Sequence, residues 1–250
     1  MRYFACCDYD GRAFAGWQRQ VGQDTVQETI EKSLSIFNRQ TIEITGCGRT
    51  DAGVSGHNYV FHFDLDQQID PAEFLYKSNQ LLPVSIAITR IEAVADEMHA
   101  RFSALSRYYI YRIHGKKLPL ERHYSWYYPY LGSIDINLLT QVSNILLDTS
   151  HFGSFCKSNG NNKTNECHIL RCDWEVSPDH LILHIEADRF LRGMVRLITG
   201  ASLNIAAGKM SLSEFQAKIT KEEILPHAWS VPAHGLTFEG VKYDTGFFQF

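Results

Sequence analysis

Apolar side chains in the first hundred residues recur with two different periods. From Tyr3 to Tyr9 they occupy alternate positions, which is typical of a β-strand, whereas from Thr25 to Phe37 they recur every three or four residues, which indicates an α-helix. Asp70, Pro71 and Glu73 have the residue types that cap and begin a second helix. The predicted elements are strands over 2–9, 42–46, 59–65 and 85–94, with helices over 25–37 and from 70 onward. This β-α-β-β-α-β order is that of the ferredoxin-like, or split βαβ, arrangement.

The second half of the chain repeats these elements in the same order. The predicted elements are a strand after Arg107, a helix over 138–146, a hairpin over 167–188, a helix from Leu191 to Ala207, a short helix opened by Ser211 and Glu214, and a strand over 235–243. The predicted fold class is therefore α+β, with two ferredoxin-like halves whose antiparallel sheets are expected to meet at a central cleft. We assign the halves to an N-terminal domain over 1–104 and a C-terminal domain over 105–250.

The composition is that of an ordinary globular protein. Of the 250 residues, 44% are hydrophobic and 21% are charged, which argues against the disordered and fibrous classes. No apolar run approaches the roughly 18 residues that a membrane span needs, and Asp8 and Asp10 interrupt any signal-peptide core. We therefore expect a soluble, cytoplasmic protein whose six cysteines are reduced thiols.

A zinc site is suggested by four potential ligands that lie close together in sequence, Cys156, Cys167, His168 and Cys172. No C-x-x-C pair among them supplies the usual spacing of a zinc knuckle. The sequence therefore predicts no metal site.

Positive charge is concentrated in two stretches of an otherwise acidic chain. The formal net charge is −4, from 24 basic and 28 acidic residues. Residues 99–123 carry +5 and residues 189–209 carry +4, which leaves −13 for the rest of the chain. Such stretches can focus a positive field on one face and bind a polyanion, or they can be the solvated ends of helices and strands. The charge alone favours neither interpretation.

A glycine-rich loop between two predicted strands carries the strongest candidate for chemistry. It reads G-C-G-R-T-D-A-G-V-S-G-H over 46–57, and its four glycines allow the backbone of a ligand to approach closely. Arg49 stands two residues before Asp51, where a charge-assisted hydrogen bond could hold the carboxylate ionised. Alternatively, Asp51 only shapes a turn by bonding to nearby amides. A dinucleotide loop is excluded, because Asp51 stands where G-x-G-x-x-G needs its third glycine.

The segment Y-D-G-R-A-F-A-G-W-Q-R-Q over 9–20 combines aromatic, basic and amide side chains on a loop broken by glycines. That mixture suits stacking on unpaired bases and hydrogen bonding to them. Phe14 and Trp17 are expected instead to fill the core. A second aromatic cluster, over 124–130, favours packing or an interface over an RNA-binding surface.

Together these motifs resemble those of the tRNA pseudouridine synthase A family. The resemblance rests on the 9–20 segment, G-R-T-D-A-G-V at 48–54, A-R-F-S-A-L-S-R-Y-Y-I-Y at 100–111, F-L-R-G-M-V-R at 190–196 and P-A-H-G-L at 232–236, in family order across nearly the whole chain. Ser55 departs from the pattern, since the family usually has histidine after Gly-Val. That departure concerns a secondary contact of the loop and not the aspartate.

The resemblance implies isomerisation of uridine to pseudouridine at positions 38, 39 and 40 in the anticodon stem-loop of tRNA, without cofactor or metal. The implied site has Asp51 as the catalytic carboxylate, Arg49 to extrude the nucleotide and bond phosphate or Asp51, Tyr109 to stack on the uracil, Arg196 to pair with the carboxylate, and Leu236 as the apolar wall under the base. Whether Asp51 attacks C1′, attacks C6 of the base or removes a sugar proton stays open.

The resemblance also implies a homodimer whose subunits jointly build the tRNA cleft, and the aromatic cluster over 124–130 is a candidate for its contact surface. Two functions from other classes remain compatible with the residues alone. A non-catalytic RNA-binding module would hold tRNA through the basic stretches and use Asp51 only in a turn. A glycosidase or nucleoside hydrolase would need a second catalytic carboxylate, and none accompanies Asp51 in its loop.

Overall fold

The computed structural model describes residues 1–155, 164–225 and 229–244, and within them the predicted α+β class is confirmed. The strands are β1 (Arg2–Tyr9), β2 (Thr45–Gly46), β3 (Ser55–Asp64), β4 (Ile86–Val94), β5 (Ala104–His114), β6 (Trp126–Tyr127), β7 (Ile169–Val176), β8 (His180–Ala187) and β9 (Leu236–Tyr243). The helices are α1 (Val26–Asn38), α2 (Pro71–Leu81), α3 (Ile136–Leu147), α4 (Met194–Ala206) and α5 (Leu212–Thr220). No helix in these three described ranges is long and apolar enough to cross a membrane.

The chain divides into two compact units. The first consists of Met1–Leu105 and the C-terminal segment from Thr237, and the second of Ser106–Leu236. β9 therefore groups with the first unit, although the predicted C-terminal domain over 105–250 includes it. The reason is a long-range pairing, because the beginning of β3 pairs in parallel with the beginning of β9.

The sheet of the first unit has β1 at its centre, antiparallel to β4 on one side and to β3 on the other. Tyr3 lies opposite Phe63, and Cys7 lies opposite Tyr59. The short β2 pairs antiparallel with β3. The elements follow one another as β-α-β-β-α-β, as the hydrophobic pattern predicts for this half.

Two capped helices accompany this sheet. Thr25 begins α1 by accepting a hydrogen bond from the N–H of Glu28, and Asp70 begins α2 by accepting one from the N–H of Ala72 at 2.9 Å. Buried aromatic side chains join helix to sheet: the ring of Phe74 in α2 stacks on that of Phe63 in β3, with centroids 5.5 Å apart. The unit is thus held by an aromatic core under the strands that flank the glycine-rich loop.

The sheet of the second unit has β8 between β5 and β7, antiparallel to both, and the short β6 runs parallel beside β5. The predicted hairpin closes where the N–H of Ser177 donates to the carbonyl oxygen of His180 at 2.9 Å. α3 packs on β7 and on α4. Alternate side chains of β5 and β8 are fully buried, among them Tyr111, Ile113 and Leu183, so one face of this sheet forms the core.

The predicted start of α4 is wrong by three residues. The helix begins at Met194 and not at Leu191, because Gly193 at its N-terminal cap has a φ of +73°, which lies outside the helical region. Ser211 caps α5 as predicted, since the N–H of Glu214 donates to Ser211 Oγ at 3.1 Å.

Candidate active site

Asp51 lies in the loop that joins β2 to β3, and it is half-buried. The N–H of Val54 donates to the carbonyl oxygen of Asp51 at 3.2 Å, and Gly53 has a φ of +79°, a conformation that glycine adopts at low cost. This turn bond uses the backbone of Asp51. Forming this hydrogen bond therefore does not require a carboxylate at position 51.

The segment 9–20 holds the residue before Asp51 in place. The N–H of Trp17 donates to the carbonyl oxygen of Thr50 at 3.2 Å, and the hydroxyl groups of Tyr9 and Thr50 form a buried hydrogen bond of 2.9 Å. Gly16 has a φ of +99°, and a Cβ there would lie 2.5 Å from the carbonyl oxygen of Thr50. Glycine is thus needed at position 16 both for its backbone conformation and for this close approach.

Gly11 and Ser55 fix the other end of the loop. The N–H of Gly11 donates to Ser55 Oγ at 3.1 Å, and a Cβ on Gly11 would lie 2.0 Å from the carbonyl oxygen of Val54. Ser55 is buried, so its hydroxyl satisfies a backbone donor that would otherwise lack a partner there. The serine that departs from the family pattern therefore has a structural function in this chain.

An aromatic pair supports the start of the loop. The rings of Trp17 and Tyr59 stack with centroids 3.9 Å apart, and the Tyr59 hydroxyl accepts from the N–H of Gly48 and donates to its carbonyl oxygen. A Cβ on Gly46 would lie 2.2 Å from that hydroxyl. Phe14 and Trp17 are buried, as predicted. The motifs at 9–20 and 46–57 are therefore one structural element, which their separation in sequence does not reveal.

Arg49 is exposed, and its Nε donates to Gln18 Oε1 at 3.2 Å. This bond differs from the bond to the carboxylate that the sequence suggested, and the pairing of Arg49 with Asp51 stays a prediction. An open depression lies beside the loop, and its lining includes Gly48, Arg49 and Arg101. Two guanidinium groups thus border a concave surface next to the loop that carries Asp51.

In the second unit, the motifs at 100–111 and 190–196 meet through aromatic side chains. Tyr109 is a buried residue of β5, and its ring contacts the ring of Phe190 edge to face, with centroids 5.2 Å apart. Phe190 lies just before α4, the helix that carries Arg196. The predicted stacking residue therefore contacts the segment that leads into the helix of the predicted pairing residue.

Arg196 and the motif at 232–236 are also connected. Arg196 Nε donates to the carbonyl oxygen of Val231 at 2.7 Å, and the Tyr111 hydroxyl donates to that of Pro232 at 2.8 Å. A Cβ on Gly235 would lie 2.7 Å from the Tyr111 ring, so glycine permits this contact. Leu236 follows directly and is buried. Burial raises the pKa of Tyr111 well above its ordinary value, so this phenol stays a hydrogen-bond donor.

The basic stretches are partly neutralised. Lys116 Nζ lies 2.9 Å from a carboxylate oxygen of Asp179 and pairs with it, whereas Arg107 donates to the backbone carbonyl oxygen of Asp188 at 2.8 Å, a bond that keeps its net charge. Arg192 is exposed. The charge available to a polyanion is therefore smaller than the sequence count of +9 indicates.

The thiols are buried in the described part of the chain. Cys6, Cys7, Cys47, Cys167 and Cys172 are buried and form no disulfide with one another, whereas Cys156 lies outside the described residues. Burial raises the pKa of the Cys6 thiol to about 12 and that of Cys172 to about 11, which keeps both protonated. Within the described ranges, no group of three or more histidine, cysteine or acidic side chains is arranged to hold a metal ion.

Known proteins resemble this chain over nearly its whole length. A family model described as tRNA pseudouridine synthase matches residues 5–103 and 145–244. A tRNA pseudouridine synthase A from Parabacteroides distasonis is 39% identical over 248 residues, which cover 99% of this chain and 98% of that protein. A protein of the same name from Azobacteroides pseudotrichonymphae is 37% identical over 248 residues, which cover 99% of this chain and 99% of that protein. Another from Bacillus subtilis is 33% identical over 248 residues, which cover 98% of this chain and 100% of that protein. The matched segments contain Arg49, Asp51, Arg196 and Leu236, and Tyr109 lies between them.

Proposed function

The chain belongs to the tRNA pseudouridine synthase family, and we propose that it converts uridine to pseudouridine at positions 38, 39 and 40 of the anticodon stem-loop. As a member of this family it is an isomerase that acts on tRNA. The reaction breaks the bond between N1 and C1′, turns the uracil and joins C5 to C1′. C5 loses a proton and N1 gains one, so the product has the composition of the substrate and no electrons are exchanged with another molecule.

Asp51 is the catalytic carboxylate of this proposal. A carboxylate can stabilise or trap the electron-poor C1′, add to C6 of the base, or remove a sugar proton, and a basic group is needed when C5 loses its proton. The observation that carries the assignment is the way the loop is held: the N–H of Trp17 and the hydroxyl of Tyr9 fix Thr50, the residue directly before Asp51. A backbone held in this way suits a catalytic carboxylate, because the position of a reacting group must be accurate.

The remaining residues of the proposed site act on the extruded nucleotide. Tyr109 stacks on the uracil, Leu236 forms the apolar wall under it and Arg196 pairs with the carboxylate of Asp51. The bond from Arg196 Nε to the carbonyl oxygen of Val231 supports this assignment, since it restrains the guanidinium. Arg49 helps to extrude the nucleotide and then binds phosphate or Asp51, and its exposure suits both tasks.

We further propose that the protein works in the cytoplasm as a homodimer that builds the tRNA cleft from both subunits. Tyr124, Tyr127 and Tyr130 are exposed, which supports a contact surface in this region, whereas Tyr128 is buried and packs against Trp126 within its own unit. Sedimentation velocity at micromolar concentration tests this. A dimer that dissociates when Tyr124 and Tyr130 are replaced by lysine supports the assignment, and a wild-type monomer contradicts it.

The activity is tested with transcript tRNA that carries tritium at C5 of uridine. Forming the new glycosidic bond expels that hydrogen, so tritium release reports the isomerisation itself. We expect release by the wild type and a loss of about 10²- to 10⁴-fold or more in Asp51→Ala, as is typical when a group acting in proton transfer is removed. Asp66→Ala is the matched control, because Asp66 is an exposed aspartate of the same unit, and it should retain wild-type release.

Three outcomes would contradict the proposal. Release by Asp51→Ala at the wild-type rate would remove the aspartate from the chemistry. Binding of tRNA by the wild type without any release would indicate a non-catalytic RNA-binding module. Free uracil in the wild-type reaction would indicate a hydrolase. Mapping the modified positions with a carbodiimide and reverse transcription tests positions 38, 39 and 40 separately from the activity.

A further inference from the structure

Phe102 is an aromatic side chain that the fold presents to solvent. It lies just before β5, at the end of a turn over 99–103, and it is 78% exposed. The guanidinium carbon of its neighbour Arg101 lies 5.8 Å from the centre of its ring. An exposed aromatic ring beside a cation is the combination that proteins use to stack on unpaired bases of nucleic acids.

The turn itself is fixed by its own side chains. His99 Nδ1 accepts hydrogen bonds from the N–H groups of Arg101 and Phe102, at 3.1 and 3.2 Å. The N–H of His99 donates to Ser103 Oγ at 2.9 Å, and the N–H of Ser103 donates to the carbonyl oxygen of His99 at 2.9 Å. Since Nδ1 accepts, the ring proton is on Nε2. The backbone of Arg101 and Phe102 is therefore held in one conformation.

The turn is also anchored to the core of the first unit. The N–H of Ala100 donates to Nδ1 of the buried His62 at 3.1 Å, and its carbonyl oxygen accepts from the Tyr243 hydroxyl at 2.6 Å. The rings of His62 and His99 are in contact, with centroids 4.6 Å apart. Both histidines have a lowered pKa because of burial, so both are neutral acceptors at neutral pH. An exposed loop that served only as a connection would not need this support.

The turn lies next to the loop that carries Asp51. Arg101 lines the same depression as Gly48 and Arg49, which lie three and two residues before Asp51. Gly48 has no atom within 4 Å of the position that a Cβ would occupy, so this side of the loop is open. The depression therefore offers two guanidinium groups to a phosphate, with an aromatic ring adjacent to one of them.

We propose that the turn over 99–103 is a nucleotide-binding element in which Phe102 stacks on a base adjacent to the target uridine, while Arg101 and Arg49 bind the phosphate between them. This inference rests on the proposed function. Extruding the uridine leaves its neighbours without a stacking partner, at a cost of a few kcal/mol. A ring on a fixed backbone offsets part of that cost and loses less conformational freedom on binding than a ring on a mobile loop.

The test compares Phe102→Ala with Phe102→Trp and Phe102→Leu, using KM and kcat from tritium release on an anticodon stem-loop. We expect KM to rise about five- to 150-fold in Phe102→Ala, the range for losing one stacked base. Phe102→Trp should restore the wild-type KM, whereas Phe102→Leu should not, because leucine is apolar but cannot stack. Tyr76→Ala is the matched control, since Tyr76 is an exposed aromatic residue on α2 of the same unit.

A cycle with abasic nucleotides identifies the base. When the nucleotide on either side of the target is made abasic in turn, the effect of Phe102→Ala should vanish at one of the two positions, because the stacking partner is already absent. An unchanged KM in Phe102→Ala or a full rescue by leucine would each overturn the inference. Inactivity of the wild type would instead refute the proposed function, so the two failures are distinguishable.

Discussion

Replacing Gly16 by alanine would test whether the segment 9–20 positions the loop that carries Asp51. Gly16 has a φ of +99°, and its Cα faces the backbone of that loop. A Cβ there would lie 2.5 Å from the carbonyl oxygen of Thr50, whereas ordinary contact begins at 3.4 Å. The loop or the segment must therefore move by about 0.9 Å, and the hydrogen bond from Trp17 to the same oxygen is placed at risk.

The loss of stability expected in Gly16→Ala has two parts, and the same substitution at Gly22 measures one of them alone. Alanine in a left-handed conformation costs about 1–2 kcal/mol, and forcing an extra methyl group into a packed site costs about 1–3 kcal/mol more. Gly22 has a φ of +72° with no atom within 4 Å of its Cβ position, so Gly22→Ala has the first cost alone. We expect Gly16→Ala to lose about 2–5 kcal/mol of stability and Gly22→Ala about 1–2 kcal/mol.

The activity should separate the two variants more clearly than the stability does. A displacement of about 1 Å at a reacting group can cost about 10²-fold in rate. We therefore expect kcat for tritium release to fall about 100-fold in Gly16→Ala and to stay at the wild-type level in Gly22→Ala. Urea denaturation of both variants measures the losses of stability separately. Equal kcat values for the two variants would refute the reasoning, since the steric contact with the loop would then have no catalytic consequence.

Three further variants test individual contacts. Burial lowers the pKa of His62 to about 4, so the unfolded chain binds a proton at this histidine before the folded chain does as the pH falls. The free energy of unfolding should therefore decrease by about 3 kcal/mol between about pH 6.5 and about pH 4. His62→Asn keeps an acceptor for the N–H of Ala100 and should show a smaller decrease when urea titrations are made at both pH values. Ser55→Ala leaves the N–H of Gly11 without its partner and should lower the free energy of unfolding by about 1–3 kcal/mol, whereas Ser55→Thr should not. Tyr111→Phe removes the bond to Pro232 and should cost about 1 kcal/mol, and an unchanged urea midpoint would contradict this.

The hydrophobic pattern predicts the order of the elements well, because alternate and helical spacings report directly which face of an element is buried. Asp70 marks the start of α2 correctly, since a capping side chain acts only on its own helix. Gly193 shows the limit of this reasoning. It stands within the apolar run that predicts α4, and only its positive φ reveals that the helix starts after it.

The candidate residues depend on the family motifs, and their surroundings could not be predicted from them. Phe14 and Trp17 have large apolar rings, which predict burial in the core, and both are buried. The bond between Tyr9 and Thr50, by contrast, joins residues 41 positions apart, and no local pattern encodes such a pairing. The grouping of β9 with the first unit has the same origin, since its pairing with β3 is a long-range contact.

The contacts that hold the loop also explain why glycines recur in both of its motifs. The backbone of residues 50–54 is approached by Gly11 and Gly16, and in each case an added Cβ would meet a carbonyl oxygen at 2.5 Å or less. Backbone atoms move little because every shift is passed to the neighbouring peptide units, whereas side chains can change rotamer. A loop held by close backbone packing therefore fixes Asp51 more accurately than one held by side chains alone. Substitutions at these glycines should accordingly affect turnover in addition to stability, although neither glycine touches the substrate in the proposed mechanism.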